Sequence, residues 1–288
     1  MLTFIPSRSP GGLPVSGIGQ IRFDSSQQFI VPEEVHSLSA VCVGPGAKQG
    51  ASANNRMGGG GGGGGLVWAN DIPVQPGDVI DVVVGLSSQV TAVHNVASLI
   101  VTSISKNGVL LMSAMSGRIG RAGSLALGAG PGGFGGTFFV DPSITDFGGG
   151  IGGQGGTGGI STTGGTPTTG AGGGAAGYAG DGGQGGTGGS GNTNSSGKGK
   201  VGTGGAGGGG WTTSSGVAYA AGGGVGLQGR GEDGLDAPSR GANGLPGSSP
   251  GPFFGRGLSA GITTGADGGA RIIWGNGRKF PATNTQDM

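Results

Sequence analysis

Few residues in this chain have the types and spacing that catalysis requires. Gly197 to Gly202 match G-x-G-x-x-G, a pattern whose backbone N–H groups bind a pyrophosphate at a helix N-terminus. No strand pattern precedes this match and no helix pattern follows it. A chain with 80 glycines among 288 residues produces such matches by chance. The sequence therefore does not predict a dinucleotide site, and no phosphate-loop pattern occurs.

Metal binding has equally little support. Residues 229–235 resemble one nonapeptide repeat of a calcium-binding β-roll, a motif that binds calcium when repeats stack in tandem. The motif occurs once here, so Asp233 and Asp236 are either solvated carboxylates of a loop or ligands of an isolated cation. His36 and His94 are far apart and have no acidic or thiol cluster nearby.

Nucleophilic and acid–base chemistry also lack the necessary groups. Cys42 is the only cysteine and is most simply a core residue, while Glu33 and Glu34 are the nearest approach to a carboxylate pair. We therefore predict no enzymatic activity, no cofactor and no metal site.

Aromatic side chains in loops rich in Ser, Thr, Gly and Asn are the remaining candidates. This composition is typical of adaptable recognition surfaces on rigid scaffolds. The alternative is that the rings plug the ends of a bundle as core, and the sequence favours neither interpretation. The candidate receptor contacts are Phe138, Phe139, Phe147, Trp211, Tyr219, Phe253 and Phe254.

The element that must position these loops is the glycine-rich stretch from about Gly128 to Gly269. Runs such as residues 152–160 and 181–190 repeat two glycines and one other residue. A polyproline-II-type helix has three residues per turn, so the third residues share one edge and the glycine edges allow close backbone approach. We predict a bundle of packed polyglycine-II helices with end loops. Gly58–Gly65 would add one glycine helix or loop inside the preceding strand region.

Composition alone would instead favour a disordered linker. Three features favour order: a net charge of +1, glycine runs of similar length, and apolar residues that punctuate these runs. With only 10% charged residues, we expect no nucleic-acid or anionic-membrane binding. No apolar run reaches the roughly 18 residues of a membrane helix, and residues 1–12 lack the pattern of a secretory signal.

Strand signals fill residues 17–116, where about seven short apolar runs alternate with turns. Gln75 to Asp78 contain Pro-Gly, which is typical of a type II turn, and Asn107-Gly108 predicts a tight hairpin. The predicted fold is all-β plus non-regular, with a small antiparallel β-sandwich and essentially no α-helix. Residues 117–275 would form the glycine bundle with its recognition loops, apart from a terminal strand at residues 271–274, and residues 276–288 a polar tail.

Residues 1–16 contain three prolines and are predicted to form an extended arm. The arm either frays, as termini commonly do, or docks on a partner. The residues that would attach it to a partner are Leu2, Phe4, Ile5 and Leu13.

Several segments together resemble tailed-phage proteins. Residues 29–44, 58–70 and 74–78 look like the glycine-rich domain of phage tail proteins, and the ending at 269–275 and 280–281 resembles glycine-rich structural proteins of marine phages. The later glycine runs are similar to the distal tail-fibre adhesin of T-even-like phages, in which polyglycine-II helices carry recognition loops at the tip. The arm and the sandwich match no attachment motif of that adhesin.

The resemblance implies a virion tail protein that binds a host surface protein or glycan during adsorption and contacts other tail or tail-fibre proteins, as single or multiple copies. The alternative is a purely structural cap or decoration of the tail without receptor contact. A third hypothesis, an ice-binding glycine bundle, requires a regular Thr/Ala face that the mixed triplets lack. If residues 128–136 lead away from the sandwich, residues 137–147 lie at the free end of the bundle.

Overall fold

The computed structural model describes residues 17–53, 55–91, 93, 100–125, 128–161, 167–189, 196–211, 220–247, 252–258, 267–275 and 277–282. Within these residues the fold is all-β. The strands are β1 (Gly19–Phe23), β2 (Gln27–Ile30), β3 (Ser37–Val43), β4 (Leu66–Pro73), β5 (Val79–Val83), β6 (Val101–Lys106), β7 (Val109–Met115), β8 (Phe138–Val140), β9 (Phe147–Gly150) and β10 (Gly269–Trp274). The helical content of the described residues is a single 3₁₀ turn, Ser87–Gln89.

The ten strands form two antiparallel sheets of five strands each. Sheet A has the order β1–β10–β3–β4–β9, and sheet B has the order β2–β5–β6–β7–β8. The predicted turns are confirmed: Gly77 has φ +85° with Asp78 donating to the Gln75 carbonyl, and Asn107 and Gly108 both have positive φ. Local turn chemistry therefore sets these two connections.

Side chains that alternate inward from both sheets fill the space between them. Phe23, Ile80, Met112 and Ile272 are buried there, as is Cys42, which confirms its interpretation as a core residue. Burial raises the pKa of the Cys42 thiol far above its ordinary value, because the thiolate would lack solvent in this core.

Sheet A is also covered on its outer face. Val41 and Ile273 on that face are buried against Tyr178, Val225 and Phe254, which come from glycine-rich segments outside the sheet. Burial on both faces explains why β3 and β10 read as nearly continuous apolar runs instead of alternating.

Beyond the sheets, the chain continues as extended segments that hydrogen bond to one another at every third residue. We call these segments the glycine array, formed by the described parts of residues 44–65, 116–136 and 151–258. The ladder between β3 and β4 enters the array without a shift of register, since Val43 pairs with Leu66 in the sheet. The bonded pairs that continue it are Gly44–Gly65, Ala47–Gly62 and Gly50–Gly59.

Two other ladders cross the same boundary in register. The β4–β9 pairing, in which Leu66 faces Gly150, continues through Gly63 bonded to Gly153 and Gly60 bonded to Gly156. The β7–β8 pairing continues in the same way from residues 115–121 to residues 131–137. The strands of both sheets therefore extend directly into the glycine array.

The predicted boundary between residues 17–116 and 117–275 does not separate two structural units. Strands β8, β9 and β10 come from the second range but complete the two sheets, and Gly44–Gly65 come from the first range but lie within the array. Glycine density along the chain does not reveal this division, because strands from both ranges (β3, β4, β7, β8 and β9) lead directly into a glycine segment or follow one.

Gly58–Gly65 lie at the centre of the array. Each of their eight N–H groups donates and each of their eight carbonyls accepts a hydrogen bond, with lengths of 2.7–3.1 Å. The N–H group of Gly58 donates to the Ser52 hydroxyl, and the other seven N–H groups reach residues 153–156, 115–121 and 255–258. The carbonyls accept from residues 44–50, 133–136 and 170–176. One segment thus has six neighbours, and no buried backbone group in it is left unpaired.

Only glycine fits in this central segment. A Cβ atom added at any of its eight positions would lie 1.9–2.3 Å from a backbone oxygen of a neighbouring segment. The close approach of these backbones also explains why the two-layered sandwich ends here. Sheets that are separated by side chains lie about 10 Å apart. Where the side chains disappear, the continuations of sheets A and B hydrogen bond directly, as Gly65 does with Met115.

Candidate functional site: the free end of the glycine array

The segments of the array turn back at the end opposite the sheets, which we call the free end. Backbone hydrogen bonds place the ends of several segments side by side there: Met57 donates to Gly159, Gly159 to Thr168, and Thr168 to Gly189. The connections that turn at this end are residues 52–56, 124–128, 160–168, 189–197, 211–220 and 237–242. Residues 54, 126–127, 162–166, 190–195 and 212–219 of these connections lie outside the described residues.

The predicted free-end segment, residues 137–147, lies at the sheet end instead, so that expectation is wrong. The chain leaves β7 through residues 116–123, turns at the free end, and returns through residues 130–136 into β8. Residues 128–136 therefore lead toward the sandwich. Residues 151–159 lead from β9 to the free end, and residues 168–176 return from it.

This reversal moves most aromatic candidates away from the free end. Phe138 packs against the core between the sheets, while Phe139 and Phe147 are 39% and 46% exposed on the sheets themselves. Phe254 is buried beside sheet A and Phe253 is half-buried next to it, so Phe254 belongs to the core. Tyr219 and the arm residues Leu2, Phe4, Ile5 and Leu13 lie outside the described residues.

Trp211 is the described aromatic candidate that lies at the free end. Its backbone pairs with the turn at residues 241–242, and its indole Nε1 donates to the Ser196 carbonyl at 3.4 Å. Two cations lie over the ring, with Lys198 Nζ at 5.8 Å and the Arg240 guanidinium at 5.7 Å from its centroid. The ring quadrupole attracts both charges, so Trp211 holds two cations in fixed positions near the protein surface.

The surroundings of Trp211 carry more positive than negative charge. Lys198 forms an ion pair with Asp236 at 2.8 Å, and Lys200 is exposed two residues further along the same segment. We call Trp211, Lys198, Lys200, Arg240 and Asp236 the Trp211 cluster. It contains three cations and one carboxylate. Nearby, the Ser196 hydroxyl is buried and makes no hydrogen bond within the described part of the chain.

The nearly neutral net charge hides a separation of charge between the glycine array and the rest of the chain. The glycine array, residues 44–65, 116–136 and 151–258, contains nine lysine and arginine residues and four acidic residues. The remainder of residues 17–288 contains five lysine and arginine residues and ten acidic residues. The expectation of no nucleic-acid or anionic-membrane binding was drawn from the charged fraction of the whole chain, and it stays a prediction.

The other sequence motifs are occupied by protein contacts. The N–H groups of Gly197, Lys200 and Gly202 donate to neighbouring segments, so they do not form the phosphate-binding loop that G-x-G-x-x-G could suggest. Asp233 accepts from the Gly205 N–H at 2.6 Å, and Asp236 pairs with Lys198. Among the described residues, His, Cys, Asp and Glu side chains form no group of three that could hold a metal ion.

A polar cleft of about 430 Å³ lies at the opposite end of the molecule. Its lining includes Glu34, His36, Asp71 and Arg278, and Gly17 stands at its edge. Glu34 and Asp71 both have positive φ, of 68° and 50°, a conformation that is uncommon for residues with a side chain. The described chain begins at this cleft, with Gly17.

No known family and no curated protein matches this sequence. The described residues also include no helix with the length and apolar character needed to cross a membrane.

The sequence did not single out Lys198, Lys200 or Arg240 as functional residues. Lys198 and Lys200 stand on one array segment and Arg240 on another, and only the packing of these segments brings Lys198 and Arg240 over the Trp211 ring. A count of charges over the glycine-rich ranges would have shown an excess of cations, but not their position around one ring.

Proposed function

We propose that the glycine array is a bundle of polyglycine-II helices. Hydrogen bonding at every third residue is the repeat of a helix with three residues per turn, and an ordinary β-ladder repeats every two residues. The six neighbours of Gly58–Gly65 support hexagonal packing of such helices. The X positions of the triplets, such as Thr157 and Gln184, are exposed on its surface while the glycine pairs are buried.

We further infer that the protein is a phage tail-fibre or tail-tip adhesin that binds a host surface receptor through the free end of this bundle. The observation that carries this proposal is the return of the six connections named above to one end, opposite the sheets. Binding residues commonly lie on loops that a rigid scaffold positions. The central segment of this array, Gly58–Gly65, has every backbone N–H and C=O group hydrogen bonded, as a rigid scaffold requires.

The sandwich is the proposed end of attachment to the virion. Gly269 pairs with Val43 beside the array, whereas Gly19 pairs with Trp274 at the far end of sheet A. The described chain therefore begins at the end farthest from the free end, and we propose that residues 1–16, which precede it, contact another tail protein. Proline-rich arms with large apolar residues suit such docking.

The experiment uses purified protein and the phage that encodes it. We expect the protein to bind host cells and to reduce phage adsorption when added in excess, and antibodies against it to label the tail. The control is the same chain unfolded and kept soluble in denaturant until dilution.

Two results would contradict the proposal. Tail labelling without any effect on adsorption would support the purely structural tail component, and absence of the protein from purified virions would exclude both roles. Normal incorporation of a folded chain that lacks residues 1–16 would overturn the attachment role of the arm.

A further inference from the structure

We propose that one lateral side of the glycine array binds an extended chain of neutral sugars. This side, which we call the flat face, is the outer surface of four array segments, residues 131–137, 151–157, 181–187 and 197–203. The inference goes beyond the proposed receptor binding at the free end and does not rest on it. Its basis is the flat packing of these segments and the uncharged, hydrogen-bonding side chains at their centre.

Backbone hydrogen bonds place the four segments side by side in the order given. Each junction between neighbours consists of three hydrogen bonds, one at every third residue. The donor and acceptor ranges are 152–158 to 130–136, 182–188 to 151–157, and 197–203 to 181–187. The four segments therefore form one continuous layer.

A second layer behind the first shows that the four segments lie in one plane. Residues 58–65 bond to the first and second segments, residues 170–176 to the second and third, and residues 207–210 to the third and fourth. These three rear segments also bond to one another in the same order. Each pair of front segments is thus backed by one rear segment, as in the hexagonal packing of parallel rods, and this arrangement keeps the front layer flat.

The side chains of the flat face recur at every third position. In the first three segments, glycine occupies all positions between them. The register of the hydrogen bonds places Gln154 beside Phe134 on one side and beside Gln184 on the other, and places Thr157 beside Thr187. These five residues form the centre of the face, and each is exposed or half-buried.

The charged side chains of the flat face lie at its margins. Among the described residues of the four segments, they are Asp181, at the end near the sheets, and Lys198 and Lys200, in the outermost segment. The Asp181 carboxylate accepts a hydrogen bond of 2.8 Å from the Ile151 N–H. A charged ligand at the centre would lose hydration without gaining an opposite charge, so the centre suits a neutral ligand.

The central side chains can both donate and accept hydrogen bonds. A glutamine amide has two N–H donors and a carbonyl acceptor, and a threonine hydroxyl has one donor and two lone pairs. Sugar hydroxyls have the same dual character, whereas an ionised carboxylate only accepts. Phe134 and Ile151, which are 39% and 45% exposed, add apolar area on which the C–H groups of a sugar ring can pack. This combination matches a neutral sugar.

The dimensions of the flat face favour a narrow polymer over a protein partner. Hydrogen-bonded neighbours lie about 4.8 Å apart and three residues rise about 9 Å, so the face measures about 15 Å by 20 Å. Its area of about 300 Å² is well below the roughly 800 Å² that each partner of a stable protein complex buries. An extended sugar chain fits this area, and several copies of the protein would bind one polymer more tightly than a single copy does.

The test measures binding of the full chain to β-1,4-linked hexasaccharides of glucose, mannose and N-acetylglucosamine by titration calorimetry. These sugar chains are extended and uncharged, and polygalacturonate is the acidic comparison. We expect at least one hexasaccharide to bind, with an affinity that changes less than about twofold between about 50 and 300 mM salt, because no ion pair is formed. The flat face should not bind polygalacturonate.

The first decisive variant is Gln154→Ala with Gln184→Ala, compared with Gln27→Ala with Gln28→Ala on the sandwich. In each pair, one glutamine is half-buried and the other is exposed. Loss of both amides of the flat face should weaken binding at least about tenfold, since each hydrogen bond contributes a factor of about two to ten. The sandwich pair should stay within about twofold of wild type.

Phe134→Ala and Phe139→Ala give a second matched comparison, because both rings are 39% exposed. We expect at least about fivefold weaker hexasaccharide binding with Phe134→Ala and a change below about twofold with Phe139→Ala. Thermal unfolding confirms that each variant is folded.

Equal losses of binding in the matched variants would overturn the site, because the flat face would then make no special contribution. Failure of the wild-type chain to bind any of the three hexasaccharides at millimolar concentration would also overturn it. So would binding of polygalacturonate that the Gln154 and Gln184 double variant weakens, since the ligand would then be acidic.

Discussion

The indole Nε1 of Trp68 donates a hydrogen bond of 2.7 Å to the carbonyl of Tyr178, and thereby joins sheet A to the glycine array. Tyr178 is completely buried, its hydroxyl donates to the Gly226 carbonyl, and it also accepts from the Gly229 N–H. Its ring stacks on Phe280 with 5.9 Å between centroids. One aromatic residue thus links the sandwich, two glycine-rich turns and the segment after β10.

Trp68→Phe removes the bond to Tyr178 and leaves a buried carbonyl without a partner. We expect a loss of about 1–3 kcal/mol in the free energy of unfolding beyond the effect of the smaller ring. Trp274→Phe is the matched control, because Trp274 is buried in the core between the sheets. Chemical denaturation of both variants gives the comparison, and equal losses would show that the hydrogen bond contributes nothing.

Gly63→Ala tests close packing in the array. The added methyl carbon would lie 1.9 Å from the Gly174 carbonyl oxygen, so neighbouring backbones must separate. We expect destabilisation of about 1–3 kcal/mol or more, as overpacking costs elsewhere. Thr157→Ala, at an exposed triplet position, should change stability by less than about 0.5 kcal/mol. Similar melting temperatures for the two variants would argue against a packed array.

Amide exchange tests whether the glycine segments are ordered in solution. Every N–H group of Gly58–Gly65 is bonded and buried, so these amides should exchange as slowly as those of β3. Gly108, exposed at the hairpin turn, should exchange rapidly and serves as the internal reference. Complete exchange of residues 58–65 and 148–190 within seconds would mean that the bundle does not form.

Stability should decrease at alkaline pH. Burial raises the pKa of the Cys42 thiol above its ordinary value of 9.0, so the unfolded chain loses this proton while the folded chain keeps it. Stability is therefore complete below pH 9 and falls above it, by up to about 1.4 kcal/mol per pH unit for one proton. Tyr178, whose pKa burial also raises, adds to the fall above pH 10.

Cys42→Ala isolates the contribution of the thiol. Unfolding free energies of the variant should depend less steeply on pH between 9 and 10.5 than those of wild type. Identical slopes would show that the thiol is accessible to water in the folded state.

Phe138→Ala and Phe139→Ala separate packing from recognition. Phe138 contacts the core, so its truncation should cost about 1–3 kcal/mol of stability, whereas truncation of the 39% exposed Phe139 should cost less than about 0.5 kcal/mol. Because both lie on the sheet end, neither change should weaken cell attachment by a folded protein. A tenfold loss of attachment with Phe139→Ala at unchanged melting temperature would return the receptor site to this end.

Local signals in the sequence predicted the sandwich well. The Pro-Gly and Asn-Gly turns and the apolar runs of residues 17–116 gave seven strands, and β1–β7 occupy that range. Residues 271–274 were also predicted as a strand and lie within β10. Each of these features depends on a few neighbouring residues, which is why sequence alone shows them.

Long-range features were predicted less well. The direction of residues 128–136 depends on the turn between Ser124 and Gly128, whose backbones bond to each other, and no residue in it marks that turn strongly. Phe138 and Phe139 of β8 were predicted to lie in a loop, because their position also depends on the direction of residues 128–136. Glycine segments lack the side chains that tell a buried face from an exposed one, so their order had to come from the structure.

The unbroken register between the β-ladders and the glycine array has a mechanical consequence. Segments such as β4 with the preceding Gly58–Gly65 run from the sandwich to the free end without interruption. Their hydrogen bonds to neighbouring segments are perpendicular to that direction. A force that pulls the two ends apart acts in shear on many of these hydrogen bonds at once, so they do not break one after another. If the protein is anchored at one end and bound at the other, it behaves as a stiff strut and transmits tension with little extension.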